Sequence, residues 1–207
     1  MEEHQGLLIL VLGSIVVYLV WDTYFMGKQE WVKSSYDGKE YLVQSLPHKE
    51  EAADLLAHIA ENLTKLSRHL EKTAPDDSRT KNIVMNFRPE KISEGTDREN
   101  YTSYTVNKGE SIAFCLRQKD ASRTLLDLNT MMFVALHELT HVATESLGHT
   151  PEFWDNFKWV LHNSIDIGIY TQQDFKTKPK KYCGIMIESS PLDGEKSAAT
   201  AATAATT

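Results

Sequence analysis

Apolar residues recur at spacings of three and four along residues 47–72, and the positions between them carry Lys, Glu and His. The recurring apolar positions are Ala52, Leu56, Ile59, Leu63, Leu66 and Leu70. One face of a helix has this period, so the pattern predicts an amphipathic helix that covers one side of a core. The polar segment 73–82 that follows is predicted as a loop from its composition.

Three short runs after this loop have the β-branched and aromatic composition that is typical of strands. They are 82–87, 101–107 and 111–117. The last two are joined through Lys108 and Gly109 and are predicted as a hairpin. The segment 88–100 is charged and is predicted to be irregular.

Two helices are predicted in the second half of the chain. The first is rich in apolar residues and runs from about Asp127 to Leu147, where Gly148 is the expected C-terminal cap. The second begins at Thr150 and Pro151, a good pair for an N-cap and a first turn. Its apolar face carries Phe153, Trp154, Phe157, Val160 and Leu161.

The N-terminal run 6–21 contains no charged residue, and as a helix it measures roughly 24 Å at about 1.5 Å per residue. Acidic residues before it and aromatic residues after it favour an uncleaved, single-pass membrane anchor over a signal peptide. Lys28, Lys33 and Lys39 follow the run, which predicts that the rest of the chain is cytosolic. The alternative is a buried core helix.

The chain of 207 residues has 41% hydrophobic residues and a net charge of −7, which suits one compact domain with appendages. This acidic balance gives no sign of nucleic-acid binding, which depends on clustered Lys and Arg. Cys115 and Cys183 can form one bridge at most, so a disulfide scaffold is excluded, and reduced thiols are expected in a cytosolic domain. The Ala- and Thr-rich end of the chain is predicted to be disordered.

The chemistry is concentrated in the segment HELTH, which starts at His137. Residues four apart lie on one face of a helix, so His137 and His141 direct two imidazoles to one point, as a tetrahedral zinc site requires. Glu138 follows the first of them, and in the HExxH arrangement this carboxylate accepts a proton from the water that the metal activates. The alternative is a pair of core histidines that bond to backbone or carboxylate groups.

A catalytic zinc needs a third protein ligand and one open position. His149 is the first candidate, since Gly148 before it breaks the helix and lets the chain turn back. Glu145 and Glu152 are the alternatives. Carboxylates that orient the imidazoles are expected at Asp155 or Asp166, between which the sequence does not choose.

Other candidate features each have a plain structural alternative. The run Ser111 to Arg117 is the candidate sheet edge for an extended substrate, or it only supports the core. Tyr170 and Tyr182 are candidate oxyanion donors, or packing residues. The lysines of the segment 176–181 could meet phosphate, although a solvated surface loop explains them better.

The segment HELTH followed by GHTPEFW resembles the minimal zincins of the WLM and SprT-like metallopeptidase group. With NKGESIAFCLR, IYTQQDF and YCGIMIESSP, the stretch from Tyr41 to Pro191 looks more closely like WLM-type metallopeptidases of large DNA viruses. The resemblance implies an α+β fold in which the HExxH helix packs on a small sheet. It also implies one zinc held by His137, His141 and His149, with Glu138 as the catalytic base.

The expected organisation is an anchor at 1–26, a linker at 27–40, a zincin-like metallopeptidase domain at 41–191 and a tail at 192–207. The expected function is a membrane-anchored zinc endopeptidase that acts on a protein or peptide. One alternative is a catalytically idle zincin fold that serves as a structural or assembly protein of a membrane or virion. Another, which the resemblance brings, is a protease that repairs crosslinks between protein and DNA.

Overall fold

The structure is a computed structural model that describes residues 2–25, 28–96 and 102–195. Its α-helices are α1 Glu2–Phe25, α2 Lys49–Thr73, α3 Ser78–Asn86, α4 Leu128–Ala143 and α5 Pro151–Asp166. Its strands are β1 Gln29–Lys33, β2 Glu40–Gln44, β3 Ile92–Glu94, β4 Ser103–Val106, β5 Ser111–Phe114, β6 Lys180–Tyr182 and β7 Ile185–Ile187. A short 3₁₀ helix, Pro89–Lys91, precedes β3.

Five of the strands form one mixed sheet in the order β1, β2, β3, β5, β4. The pairs β1–β2 and β4–β5 are antiparallel, whereas β2–β3 and β3–β5 are parallel. Helices α2 and α4 pack against the sheet, and α3 and α5 pack against α4. The α+β fold class is therefore confirmed, with β4 at one edge of the sheet and β6–β7 as a separate hairpin.

The predictions for α2, for the hairpin of β4 and β5 and for α5 are confirmed. The apolar positions of α2 are buried because that face meets β1, β2, β3 and α4. The side chain of Thr150 accepts a hydrogen bond from the backbone N–H of Phe153, as an N-cap residue does. These elements have strong local signals, so packing reinforces what the sequence already favours.

A buried ion pair fixes β3 in the middle of the sheet. Arg117 donates from Nε to a carboxylate oxygen of Glu94 at 2.8 Å, and both side chains are at most 2% exposed. The other oxygen of Glu94 accepts the backbone N–H of Gln44 on β2, while Arg117 also donates to the carbonyl of Pro47. These bonds satisfy charges that would otherwise be costly to bury. They bind the carboxylate of β3 to β2 and to the segment after β5.

The prediction of a strand at 82–87 is wrong, because this segment belongs mostly to α3. Asp77 caps the helix by accepting the backbone N–H of Arg79, and its carboxylate also pairs with the guanidinium of Arg79. Thr80 and Ile83, three residues apart, are buried on the face that packs toward α2 and α4. The cap and the helical spacing outweigh the strand propensity of the β-branched pair in this run.

Three segments that were predicted from composition to lack regular structure or core residues are also described wrongly. The segment 27–40, predicted as a linker, contains β1, which pairs with β2 along its full length. The segment 88–100, predicted to be irregular, contains β3. Leu192, placed in the tail, is 1% exposed and belongs to the core. The rest of the predicted tail, 196–207, lies outside the described residues.

The N-terminal apolar run forms helix α1, in which the side chains of residues 5–20 are exposed. Within the described ranges, no helix is both long enough and apolar enough to cross a membrane. A helix at 6–21 is confirmed, but the prediction that it spans a membrane is not supported.

Cys115, after β5, and Cys183, at the turn between β6 and β7, form a disulfide across 68 residues of sequence. The expectation of reduced thiols is therefore wrong for this structure. The bond attaches the β6–β7 hairpin to the central sheet. The spacing of the two cysteines in the sequence did not predict that they are buried together. The hairpin that brings Cys183 to β5 has only three residues in each strand, which is too short to be recognised from the sequence.

Gly109, in the turn between β4 and β5, has a φ of +113° and lies against α3 and α4. A Cβ at this position would lie 2.8 Å from the carbonyl oxygen of Asn86 and 3.0 Å from Val142 Cγ1. We expect Gly109→Ala to lower the free energy of unfolding by about 2–3 kcal/mol, measured by urea denaturation. Gly38→Ala is the matched control, since Gly38 has a φ of +75° with open space around it, and should cost about 1 kcal/mol. Equal losses of unfolding free energy in the two variants would show that the close approach of Gly109 to α3 does not affect stability.

Candidate metal centre

Three imidazoles converge at the C-terminal half of α4 and form what we call the histidine triad: His137, His141 and His149. One ring nitrogen from each lies within 4.8 Å of the others, and the Nε2 atoms of His137 and His149 are 2.9 Å apart. The three ring centroids are 4.8–5.0 Å from one another. The structure therefore brings together the three residues named from the sequence.

The third histidine reaches the helix because α4 ends early. The helix stops at Ala143, and Thr144 forms its C-cap, whereas Gly148 was predicted to do so. Thr144 and Thr140 direct their hydroxyls back to carbonyls of the preceding turn. The chain then has five residues, with Gly148 at a φ of +76°, in which to return to the face of α4 that carries the first two histidines.

Side chains from other elements hold this returning loop. Lys108, in the β4–β5 turn, donates from Nζ to the carbonyl oxygens of Thr144 at 2.6 Å and Ser146 at 2.9 Å. The carboxylate of Glu152, in the first turn of α5, accepts the backbone N–H of Ser146. The end of α4 and the loop before His149 are thereby attached to the sheet and to α5.

Phe153 packs beneath the whole triad. It is fully buried, and its ring centroid lies 4.8, 4.4 and 4.7 Å from those of His137, His141 and His149. An apolar ring packed against three imidazoles restricts their rotation and so helps to keep their ligand nitrogens together. The packing role that the sequence favoured for Phe153 therefore also orients the triad.

The environment keeps the two helical imidazoles neutral, which is the form that binds metal. Burial lowers the pKa of His137 to about 3, with the neighbouring histidines adding to the effect. Burial, His149 and the ammonium of Lys108 lower the pKa of His141 to about 4. Three imidazole nitrogens that converge on one point fit a zinc ion with an open fourth position.

Glu138 is 5% exposed and points toward β4. The hydroxyl of Thr105 donates to its carboxylate at 2.9 Å. Burial raises the pKa of Glu138 to about 7, and the bond from Thr105 opposes this shift. A carboxylate with this pKa can both accept and release a proton near neutral pH, as a general base must.

Two clefts meet at Glu138. The strand cleft, of about 480 Å³, is lined by His141, by Tyr104, Thr105, Asn107 and Lys108 of the β4–β5 hairpin, and by the loop residues Leu147 and Gly148. The hairpin cleft, of about 250 Å³, is lined by His137, Phe133 and Val134 of α4 and by residues of the β6–β7 hairpin. A chain laid across the triad would therefore have space on both sides.

The structure separates His149 from the other candidates for a third ligand. The carboxylate of Glu152 faces the backbone N–H groups of Glu145 and Ser146, and Glu145 is exposed beside Arg79, away from the triad. Asp155 and Asp166 are exposed on α5. Among the described residues, no hydrogen bond joins either of these two carboxylates to the triad, so neither orients an imidazole here.

Tyr170 and Tyr182 have different surroundings. Tyr170 is buried with its ring 6.0 Å from that of Phe133, and it lines neither of the two clefts. Tyr182 lines the hairpin cleft, but its hydroxyl is hydrogen-bonded to that of Ser103 at 2.6 Å. Both therefore pack in the core, and the oxyanion role is not supported for Tyr170.

The lysines of segment 176–181 lie mostly beside carboxylates. Lys176, Lys180 and Lys181 form ion pairs with Asp193, Asp127 and Asp120. These partners offset the positive charge that a phosphate group would need. The plain alternative of a solvated surface accounts for them, although Lys180 and Lys181 lie on strand β6 and not in a loop.

The predicted substrate edge at Ser111 to Arg117 is wrong. Strand β5 lies inside the sheet, because β3 pairs with it on one side and β4 on the other. The edge beside the triad is β4, whose Thr105 contacts Glu138. A three-residue strand such as β3 leaves too weak a pattern in the sequence to reveal this order.

Sequence reasoning also missed three residues that contribute to the site: Thr105 on β4, and Ile185 and Met186 on β7. Thr105 lies on a correctly predicted strand, but its contact with Glu138 depends on how β4 packs on α4. Ile185 and Met186, on β7, line the hairpin cleft, and this hairpin was not predicted at all. Alternation over three residues is too short to indicate a strand.

A family model described as the WLM domain matches residues 82–206. Uncharacterized protein R325 of Acanthamoeba polyphaga mimivirus is 35% identical over 189 residues, which make up 86% of this chain and 95% of that protein. Uncharacterized protein 136R of Invertebrate iridescent virus 6 is 37% identical over 89 residues, or 42% of this chain and 47% of that protein. The crystal structure of Wss1 from Saccharomyces cerevisiae is similar with a TM-score of 0.48 and 24% identity, covering 60% of this chain and 86% of that one.

Proposed function

The chain belongs to the WLM domain family, and from this premise we propose that it is a zinc-dependent endopeptidase. His137, His141 and His149 hold the metal, and Glu138 is the general base. The observation that carries the proposal is a buried carboxylate with a raised pKa directly beside three converging imidazoles. Perturbed titratable groups that meet in a cleft are typical of a catalytic site.

The chain's own residues supply binding and proton transfer. When bound, zinc would act as a Lewis acid that polarises the scissile carbonyl and makes water more acidic. Glu138 accepts the proton of the attacking water and passes it to the leaving amine. Thr105 keeps the carboxylate turned toward the cleft through its bond to one oxygen, and the other oxygen is free to take the proton.

The substrate lies extended along β4. This strand is an edge of the sheet, so its outward backbone groups can pair with a peptide as an added strand. The same strand carries Thr105, so a peptide paired with it lies beside Glu138 and the triad. Hydrogen bonds between backbones do not depend on the side chains of the substrate. This favours an unstructured polypeptide as the substrate class.

The alternative of an idle structural fold is less well supported. A structural zinc usually has four protein ligands. In the described part of the chain, the cluster contains three donors. Glu138 lies beside this cluster, in the strand cleft that a substrate would enter. A structural metal does not need such a carboxylate.

The test is cleavage of an unstructured polypeptide such as reduced, alkylated casein by the purified full chain loaded with one zinc equivalent. We expect cleavage at internal bonds that a chelator abolishes and added zinc restores. Chelator treatment followed by calcium serves as the control, because an all-histidine site does not suit that hard cation. A zinc-loaded chain that leaves a broad set of polypeptides intact would contradict the proposal and favour the structural alternative.

A further inference from the structure

Resting on the proposed function, we propose that the hairpin cleft binds an apolar side chain of the substrate. This side chain belongs to the residue that flanks the scissile bond on the His137 side of the site. The proposal makes the β6–β7 hairpin, and Met186 in particular, a determinant of cleavage specificity.

The lining of the hairpin cleft is apolar and continuous with the catalytic groups. Its apolar or aromatic members are Phe133, Val134, Tyr182, Ile185, Met186 and Ile187. His137 and Glu138 belong to the same lining, so a side chain in this cleft comes from a residue next to the reacting bond. Ile185 and Met186 are 51% and 49% exposed, which leaves apolar surface that a substrate can cover.

The strand cleft, on the other side of Glu138, has a different character. Its lining is mixed: the polar side chains of Asn107 and Lys108 lie there together with the apolar side chain of Leu147 and the ring of Tyr104. Polar groups there suit the main chain or polar side chains of a substrate. The apolar preference is therefore predicted from the lining of the hairpin cleft itself, on the His137 side of the scissile bond.

The hairpin is held in place before any substrate binds. The disulfide joins Cys183 to Cys115 after β5, and the hydroxyls of Tyr182 and Ser103 are hydrogen-bonded at 2.6 Å. Lys181 accepts a bond from Gln118 through its carbonyl. A lining that is already ordered loses little conformational entropy on binding, so its apolar surface contributes more fully to affinity.

The volume of the hairpin cleft and the charge beside it restrict which substrate side chain can bind there. At about 250 Å³ it is smaller than the roughly 300–1,000 Å³ of small-molecule sites, and it suits one side chain of the size of Leu, Met or Phe. Glu188, exposed at the same cleft, disfavours acidic side chains. We therefore expect large apolar residues to be preferred, and Asp and Glu to be rejected.

The test is cleavage of a degenerate peptide library by the zinc-loaded full chain, with mass spectrometry of the new termini. At one of the two positions that flank the cleaved bond, we expect Leu, Met or Phe to exceed Ala by at least about tenfold in kcat/KM. Met186→Glu should remove this preference at that same position and raise cleavage of peptides with Lys or Arg there. Its fold should persist, because Met186 is half exposed.

Leu147→Glu is the matched control, since Leu147 is 82% exposed and lines the strand cleft. It should leave the apolar preference unchanged at the position that Met186→Glu alters. Cleavage without an apolar preference at either flanking position, or an unchanged profile in Met186→Glu, would overturn this inference while the proposed function stands. Failure of the zinc-loaded chain to cleave any peptide would contradict the proposed function itself, and the inference with it.

Discussion

Glu138→Gln is expected to lower kcat for polypeptide cleavage by about 10³–10⁴-fold. The amide has nearly the shape of the carboxylate and can keep the bond from the hydroxyl of Thr105, but it cannot accept a proton from water. Zinc content and the unfolding midpoint should stay close to those of the unaltered chain, as measured by elemental analysis and thermal denaturation.

Glu145→Gln is the matched control for this substitution. Glu145 is an exposed carboxylate just after the end of α4, and its side chain lies in a different surface cleft from the triad. Its replacement should leave kcat within about twofold, as is usual for surface changes. Comparable rates for Glu138→Gln and the unaltered chain would rule out Glu138 as the base.

His137→Ala and His141→Ala are each expected to weaken zinc binding by well over a hundredfold. Loss of a group that merely supports a ligand already costs about 10- to 100-fold in metal affinity, and loss of a ligand itself costs more. Competition with a chromophoric chelator at neutral pH measures the affinity directly. The apo variants should still fold, because the buried helix packing around Phe153 and Phe157 remains.

His162→Ala is the control for the general loss of a histidine, since His162 lies on α5 beside Glu195 and outside the triad. It should bind zinc as the unaltered chain does. His149→Ala should lose affinity like the two helical variants. If it keeps full affinity, His149 is not the third ligand, and the loop that Lys108 holds does not serve to position it.

The helical part of the site could be predicted because its signals are local. The spacing of His137 and His141 determines that they share a helix face, and the apolar sequence around them requires that helix to be buried. Thr150 and Pro151 mark the start of α5 by capping chemistry. None of these inferences needs a contact from a distant segment.

The position of His149 shows where local reasoning stops. Gly148 indicated that the helix would break there, but α4 ends four residues earlier. The earlier end depends on Lys108, which takes up the carbonyls of Thr144 and Ser146 from 36 and 38 residues away in sequence. The sequence correctly predicted that His149 lies beside the other two histidines. It attributed the turn of the chain to Gly148, whereas the contacts of Lys108 also contribute to it.

The order of the strands in the sheet could not be predicted either, because it also depends on contacts between residues that are far apart in the sequence. Strand β3 is three residues long and is fixed by the buried pair of Glu94 and Arg117, whose charges look like surface residues in the sequence. Its insertion beside β5 makes β4 the edge strand. The identity of the substrate edge, and the role of Thr105 with it, therefore depends on one long-range ion pair.

The central claim is that the chain hydrolyses peptide bonds with an activated water. The most direct measurement is mass spectrometry of the first cleavage products that the zinc-loaded chain forms in water labelled with heavy oxygen. The account predicts new internal termini whose carboxyl groups carry one labelled oxygen from a single turnover, and about 10³–10⁴-fold slower formation of these products with Glu138→Gln. New termini without the label, or equal labelled products from Glu138→Gln, would contradict it.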